Sequence, residues 1–295
     1  MELLPYSHIA KGEKMNLVQA ILMGIVQGLS EFLPISSSAH LVFTSNFYKV
    51  FKGIEIAQTS NEEVFFDIMV HLGTLIAVLI FFRKDIINII KAVYSALKTK
   101  NFENNEAKLG LYIIAGTFLT ILLAYPLNEV AERLVYSPSI VGILLFFTGF
   151  TLLYSEYKSK KIETKKSHVD LKSSLFIGLA QGLAALPGFS RSGWTIATGL
   201  FFGLDRITAA RYSFLLSIPI ILGASMVYPL VKIDVSEAFY YNWPAIITGT
   251  TVSGIVGYLC IKYFMKFISK FSLAIFGYYC LITGVITAIF FCIHT

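Results

Sequence analysis

Long apolar runs separated by short charged segments are the main pattern of this chain. Five uncharged stretches approach the roughly 20 residues that a membrane-spanning helix needs, and they cover 109–128, 134–155, 212–231, 238–261 and 271–295. A sixth stretch, 68–82, is shorter but becomes long enough when Phe65 and Phe66 are included. The pattern therefore predicts six transmembrane helices.

Four shorter uncharged stretches contain Gly and Pro breaks, at 16–30, 32–48, 173–190 and 192–204. In lipid, backbone groups freed at such breaks need protein or a water-filled cavity as partners. We therefore expect two re-entrant helical hairpins, 16–48 and 173–204, around a buried polar cavity. The predicted fold is an all-α integral membrane protein.

The composition excludes a soluble domain. Hydrophobic residues make up 56% of the chain and charged residues 14%, with a mean hydropathy of +0.70, whereas soluble domains carry about 25% charged residues. The three cysteines have neither CxxC spacing nor a cluster with histidine, which favours a packing role. The tail 1–14 lacks the apolar run of a signal peptide. We treat 1–295 as one membrane domain.

Lysine and arginine concentrate in four segments, 83–108, 158–172, 206–211 and 262–270, with acidic segments between them. Because basic loops stay in the cytoplasm, the spans alternate correctly only if the first hairpin enters from outside, the second enters from inside, and both termini lie outside. Each half, 16–155 and 173–295, is then one hairpin and three spans of an inverted-topology repeat. Basic loops also explain the pI near 9.0, so no nucleic-acid partner is expected.

The two predicted hairpins carry the same phrase. Gly-x-x-Gln-Gly-Leu begins at Gly24 and again at Gly178, and in both copies a serine cluster begins nine residues after the glutamine, at Ser36 or Ser190. Small residues are common wherever membrane helices pack, which is the simpler interpretation. The matched spacing favours a paired site instead, with the tips meeting and bringing Glu31 toward Arg191.

Arg191 lies in a segment of glycines and serines that can present backbone N–H groups. An arginine fork beside such groups suits phosphate oxygens; the alternative is a structural ion pair with Glu31. Glu31 could hold a divalent ion or accept a proton, and the sequence does not decide between these roles. Gln27 lies one helical turn before Glu31, on the same face.

A hydroxyl and imidazole group follows the first break, formed by Ser36, Ser37, Ser38 and His40. Serines often cap helices and a lone histidine often packs, but this combination also suits nucleophilic phosphoryl transfer. His71, four residues after Asp67, is a second candidate, for which we expect a mostly structural role and a secondary one in lining the cavity.

The segments 27–40 and 186–195 resemble the two signatures of the bacterial undecaprenyl-pyrophosphate phosphatase family of the bacitracin-resistance type, and the similarity extends from Met15 to the C-terminus. The resemblance implies hydrolysis of undecaprenyl pyrophosphate to the monophosphate carrier of cell-wall synthesis, in the bacterial inner membrane. It also implies a divalent cation, magnesium or calcium, with Glu31 as its ligand. The catalytic residues carried over are Glu31, Ser37, His40 and Arg191; the expected substrate-binding residues are Gln27, Ser36, Ser38, Gly188, Ser190, Ser192, Gly193 and Thr195.

Gln27 stands where many members of that family have a second acid, so Glu31 must carry the acidic role alone or with water. Ser37 is the preferred nucleophile, with His40 or an activated water as the alternatives. The expected partners are the lipid substrate, the bilayer and a second copy of the chain in a homodimer. The competing function is transport or flipping of an anionic polyprenyl lipid, which needs Arg191 but no nucleophile.

Overall fold

The computed structural model describes residues 15–52, 61–232 and 240–294, so the tail 1–14 lies outside the described residues. Within these ranges the chain is helical, with one isolated bridge between Lys166 and Leu204. The helices are α1 (Leu17–Ser30), α2 (Ser37–Lys52), α3 (Asn61–Phe81), α4 (Arg83–Thr99), α5 (Asn105–Leu134), α6 (Pro138–Lys160), α7 (Leu171–Leu183), α8 (Arg191–Phe201), α9 (Arg206–Lys232), α10 (Trp243–Ile268) and α11 (Ala274–His294).

The six predicted spans are confirmed. Helices α3, α5, α6, α9, α10 and α11 are long and apolar enough to cross a membrane, and each overlaps one predicted stretch. The protein is therefore a multi-pass membrane protein.

Helix α4 lies inside the segment 83–108, which the charge pattern had marked only as basic. Its apolar residues recur at helical spacing, and Ile89 and Ala96 are buried. Ile89 and Val93 pack over Gly110 of α5. One apolar face of α4 thus covers the start of α5.

The helix pairs α1/α2 and α7/α8 occupy the positions predicted for the hairpins. At one end of the bundle, Asn242 Nδ2, at the start of α10, donates to the Met15 carbonyl next to α1, and the Asn242 N–H donates to Glu62 at the start of α3. At the other end, Ser174 of α7 donates to the Tyr112 carbonyl of α5. The pairs therefore start from opposite ends, as the proposed repeat requires; their depth and sidedness in a bilayer stay predictions.

Close backbone packing holds the first helix of each pair. A Cβ on Gly24 of α1 would lie 2.6 Å from the carbonyl oxygen of Gly249 in α10, and one on Gly178 of α7 would overlap the carbonyl of Gly116 in α5. The packing interpretation is thus correct for the glycines of the repeated phrase. It does not account for the polar residues that follow them.

An ion pair and an apolar core stabilise the bundle end where α7 begins. Arg206 of α9 donates two hydrogen bonds, of 2.8 and 2.7 Å, to buried Glu156 of α6. Glu156 also accepts from the Leu273 N–H, before α11, at 2.9 Å. The largest apolar cluster includes Phe32 at the first hairpin tip, edge-on to Phe214. The cavity beside the tips lies at the opposite end, where α3 begins.

Candidate active site

The two hairpin tips touch. Ser192 Oγ, at the start of α8, donates to the carbonyl of Leu33 at 3.0 Å. Each second helix is capped by the first serine of its cluster: the Ala39 N–H donates to Ser36 Oγ at 3.3 Å, and the Gly193 N–H to Ser190 Oγ at 3.1 Å. The predicted meeting of the tips is thus present in the structure.

Glu31, the residue that ends α1, lies at the centre of this contact and is 6% exposed. Arg191 Nη2 donates to its Oε1 at 2.5 Å. Ser37 Oγ and Gln27 Nε2 donate to its Oε2 at 2.6 and 3.0 Å. The carboxylate and hydroxyl of the first hairpin and the guanidinium of the second therefore form one cluster.

Two buried polar atoms of this cluster have no hydrogen-bond partner within the described part of the chain: Nη1 of Arg191, a donor, and Oε1 of Gln27, an acceptor. An unsatisfied buried polar atom costs about 1–3 kcal/mol. A ligand with phosphate oxygens would satisfy the free guanidinium nitrogen. A cation or a water molecule would satisfy the free amide oxygen.

A cavity of about 940 Å³ lies beside the cluster, at the end of the bundle where α3 begins. Asp67, His71 and Ser38 line it, and Arg133 and Tyr136 line it near the end of α5. His71 Nε2 is 3.7 Å from Oε2 of Glu31. The sequence analysis assigned His71 a mostly structural role and a secondary one in lining the cavity, and His71 does line it. Its spacing of four from Asp67 was the available signal for a larger role.

His40 makes its contacts away from the carboxylate. Its Nδ1 lies 2.8 Å from the Ser36 carbonyl, and its Nε2 lies 2.7 Å from the hydroxyl of Tyr279 on α11. The imidazole also stacks on the Tyr279 ring, with the planes 12° apart. This geometry suits docking of α2 on α11, and a catalytic role for His40 stays a prediction.

The family model for Bacitracin resistance protein BacA matches residues 20–286. The chain belongs to the BacA family. It is 42% identical over 280 residues to the undecaprenyl-diphosphatase of Methanobrevibacter smithii, covering 92% of this chain and 96% of that protein. It is 40% identical to the undecaprenyl-diphosphatase of Methanosphaera stadtmanae, over 93% of this chain and 98% of that protein. It is 39% identical to the undecaprenyl-diphosphatase of Korarchaeum cryptofilum, over 92% of this chain and 98% of that protein.

Several other predicted binding residues of this BacA-family chain support the second tip from within. Ser190, Ser192 and Thr195 are at most 1% exposed. Thr195 Oγ1 donates to the Arg191 carbonyl at 2.7 Å. Gly188, with φ +104°, lies where a Cβ would meet the Val141 carbonyl at 2.5 Å. These contacts fix the position of Arg191, and direct contact of these residues with substrate stays a prediction.

The donor set around Glu31 fits a divalent cation only in part. Within the described ranges, no three His, Cys, Asp or Glu side chains lie close enough to hold a metal ion. Magnesium, however, is often bound by one or two carboxylates together with substrate phosphates and water. Glu31 and the free Oε1 of Gln27 fit that arrangement, in which a diphosphate would supply the other oxygens.

Proposed function

We propose that this chain is an undecaprenyl-diphosphatase, which hydrolyses undecaprenyl diphosphate to undecaprenyl phosphate and inorganic phosphate. The observation that carries the proposal is the cluster of Glu31, Arg191 and Ser37, in which one guanidinium nitrogen has no partner among the described residues. The similarity to proteins of that name along almost the whole chain supports the same substrate.

Arg191 binds the diphosphate. Its Nη2 is held by Glu31, so the fork has a fixed orientation, and its Nη1 is the free donor for a phosphate oxygen. Phosphoryl transfer depends chiefly on positioning and on stabilising charge at the phosphate oxygens. A cationic fork fixed before substrate arrives supplies both. The polyprenyl tail meanwhile stays in lipid.

Ser37 is the nucleophile. Its hydroxyl is oriented by the 2.6 Å hydrogen bond that it donates to Oε2 of Glu31, whereas Arg191 donates to the other carboxylate oxygen, Oε1. Attack of Oγ on the terminal phosphorus breaks the bridging P–O bond and leaves a phosphoserine, which water then hydrolyses. Undecaprenyl phosphate leaves in the first step and inorganic phosphate in the second.

Glu31 and the amide oxygen of Gln27 would hold a magnesium or calcium ion together with the diphosphate oxygens. A bound ion neutralises negative charge on those oxygens. Because the described part of the chain supplies few ligands, we expect metal affinity to rise when the lipid diphosphate is present. Titration calorimetry with and without a substrate analogue measures that difference.

Release of phosphate from undecaprenyl diphosphate by the purified chain tests the function. We expect turnover in the wild type, and loss of turnover with retained lipid binding in Ser37→Ala and Glu31→Gln. Unchanged turnover in both variants would refute the site. A flippase, by contrast, would release no phosphate and would move the lipid between leaflets even as Ser37→Ala.

The membrane orientation is part of the proposal: both termini and the α1/α2 hairpin face outside. Six spans put both termini on one side if neither hairpin crosses. In a Cys292→Ser background, Ala131→Cys should react with a membrane-impermeant thiol reagent from outside, and Lys165→Cys only after permeabilisation. The reverse pattern would invert the topology.

A further inference from the structure

His71 is a histidine that faces the reacting groups, although it belongs to neither repeated phrase. Its Nε2 is 3.7 Å from Oε2 of Glu31. The same oxygen accepts the hydrogen bond of Ser37 Oγ. The imidazole nitrogen and the attacking hydroxyl therefore lie near the same carboxylate oxygen, and His71 itself lines the cavity.

Asp67 orients the imidazole ring. Nδ1 of His71 lies 2.8 Å from the Asp67 backbone carbonyl, one turn earlier in α3. A carbonyl oxygen only accepts hydrogen bonds, so Nδ1 carries the proton and the neutral ring keeps its lone pair on Nε2. The Asp67 carboxylate is a further 3.6 Å contact of Nδ1. A base oriented by a third group beside a hydroxyl is the arrangement that activates a nucleophile.

Two other groups near the nucleophile could act as bases, and both are less suited to that role. The carboxylate of Glu31 accepts the hydrogen bond of Ser37, but Arg191 and Gln27 also donate to it and stabilise its ionised form, which makes it a weaker base. Both nitrogens of His40 contact Ser36 and Tyr279. The side chain of His71 is 26% exposed, so the attacking water of the second step can reach its ring nitrogen.

We propose that His71 is the general base of the reaction, an inference that rests on the proposed function. As Ser37 Oγ bonds to the terminal phosphorus, its proton passes by way of Oε2 of Glu31, which accepts the Ser37 hydrogen bond, to Nε2 of His71. The bridging P–O bond breaks, and undecaprenyl phosphate leaves with the electron pair and takes up that proton. In the second step water bonds to phosphorus, its proton passes through Nε2 to Oγ, and the Oγ–P bond breaks.

His71→Ala and His71→Gln test the assignment with undecaprenyl diphosphate as substrate. Loss of a general base lowers turnover by about 10²–10⁴-fold, so we expect a fall of this size in kcat with little change in KM or in thermal stability. Added imidazole should restore part of the turnover of His71→Ala, because the cavity of about 940 Å³ admits it. It should not restore His71→Gln, where the amide fills that space.

Glu31→Gln is the matched control. Added imidazole cannot replace the missing carboxylate, so the low turnover of this variant should stay equally low when imidazole is present. Wild-type kcat in His71→Ala would overturn the proposal. So would a low kcat that imidazole fails to raise in a folded variant that still binds the lipid. Phosphate release by the wild type tests the proposed function separately, whatever the His71 variants do.

Discussion

The two hairpin tips have the same construction and different chemistry. With Ser36 matched to Ser190, both of these serines cap the helix that follows. Both also lie near the serine two positions later, with Oγ–Oγ distances of 3.2 and 3.3 Å. Each tip docks on the last span of the opposite half: Tyr279 of α11 meets the first tip, and Thr148 of α6 meets the second.

The charges differ between the copies. Arg191 takes the place that Ser37 has in the first copy, and Trp194 takes that of His40. Four residues after the glutamine, the first copy has Glu31 and the second has Ala185. The proposed nucleophile Ser37 and the carboxylate of Glu31 thus come from one copy, and the guanidinium of Arg191 comes from the other. In this chain, the divergence of the copies places opposite charges at the two tips.

The largest effect is expected from the charges themselves. Glu31→Gln and Arg191→Gln should each lower kcat by about 10²–10³, the usual cost of losing one preorganised charge contact. Because the two groups act as a pair, the double variant should be little worse than either single one. Phosphate release from undecaprenyl diphosphate measures all three. If the exchanged pair, Glu31→Arg with Arg191→Glu, were active, the two copies would be chemically interchangeable and the division of roles would be wrong.

The shared scaffold should show equal sensitivity in both copies. Gly24→Ala and Gly178→Ala each place a Cβ against the backbone of a span. Overpacking of this kind costs about 1–3 kcal/mol, so both variants should lower the melting temperature in detergent by similar amounts. Gly223→Ala is the control, since a Cβ added there would have no neighbouring atom within 4 Å in the described part of the chain. Damage confined to one of the two hairpins would contradict the common scaffold.

The repeated glutamines should separate function from stability. Gln27 Nε2 donates to Glu31, whereas Gln181 Nε2 donates to Thr120 Oγ1 and the Leu216 carbonyl, both at 3.3 Å. We expect Gln27→Ala to lower kcat about tenfold, or about 1.4 kcal/mol, at an unchanged melting temperature. Gln181→Ala should cost about 1 kcal/mol of stability and leave kcat unchanged. Assays of turnover and thermal unfolding on both variants measure the two effects. A loss of kcat in Gln181→Ala with a loss of stability in Gln27→Ala would contradict this separation.

The scaffold was predictable because lipid restricts the backbone so strongly. Run length indicated the six spans, and the Gly and Pro breaks indicated the helix pairs. Repeat symmetry then brought Glu31 to Arg191. Helix α4 was missed because its charges obscured a helical apolar spacing. The contacts of His40 with Tyr279 and of His71 with Glu31 depend on how α11 and α3 pack, which no local pattern encodes.

The smallest effect is expected at the starts of the two hairpins. Both α1 and α7 begin with a capping box, but the cap is neutral Asn16 in one and Asp170 in the other. Burial by itself raises the pKa of Asp170, but hydrogen bonds from Lys166 and Ser173 outweigh it and lower that pKa to about 2. The ionised cap therefore stabilises the fold above the unfolded pKa of about 4. This contribution is lost as the pH falls toward 2.

Asp170→Asn should consequently lower the free energy of unfolding at pH 7 slightly, and with it the melting temperature. We expect a loss of less than about 1 kcal/mol, because the carboxylate is partly exposed. The difference in stability between the wild type and Asp170→Asn should narrow as the pH falls below about 4, where the stabilisation from the ionised cap begins to be lost. Asn16→Ser, which exchanges one neutral cap for another, should show no such pH dependence. Thermal unfolding in detergent between pH 7 and pH 3 measures both differences. A gap that stays constant over this range would mean that the charge of Asp170 adds nothing to its role as a cap.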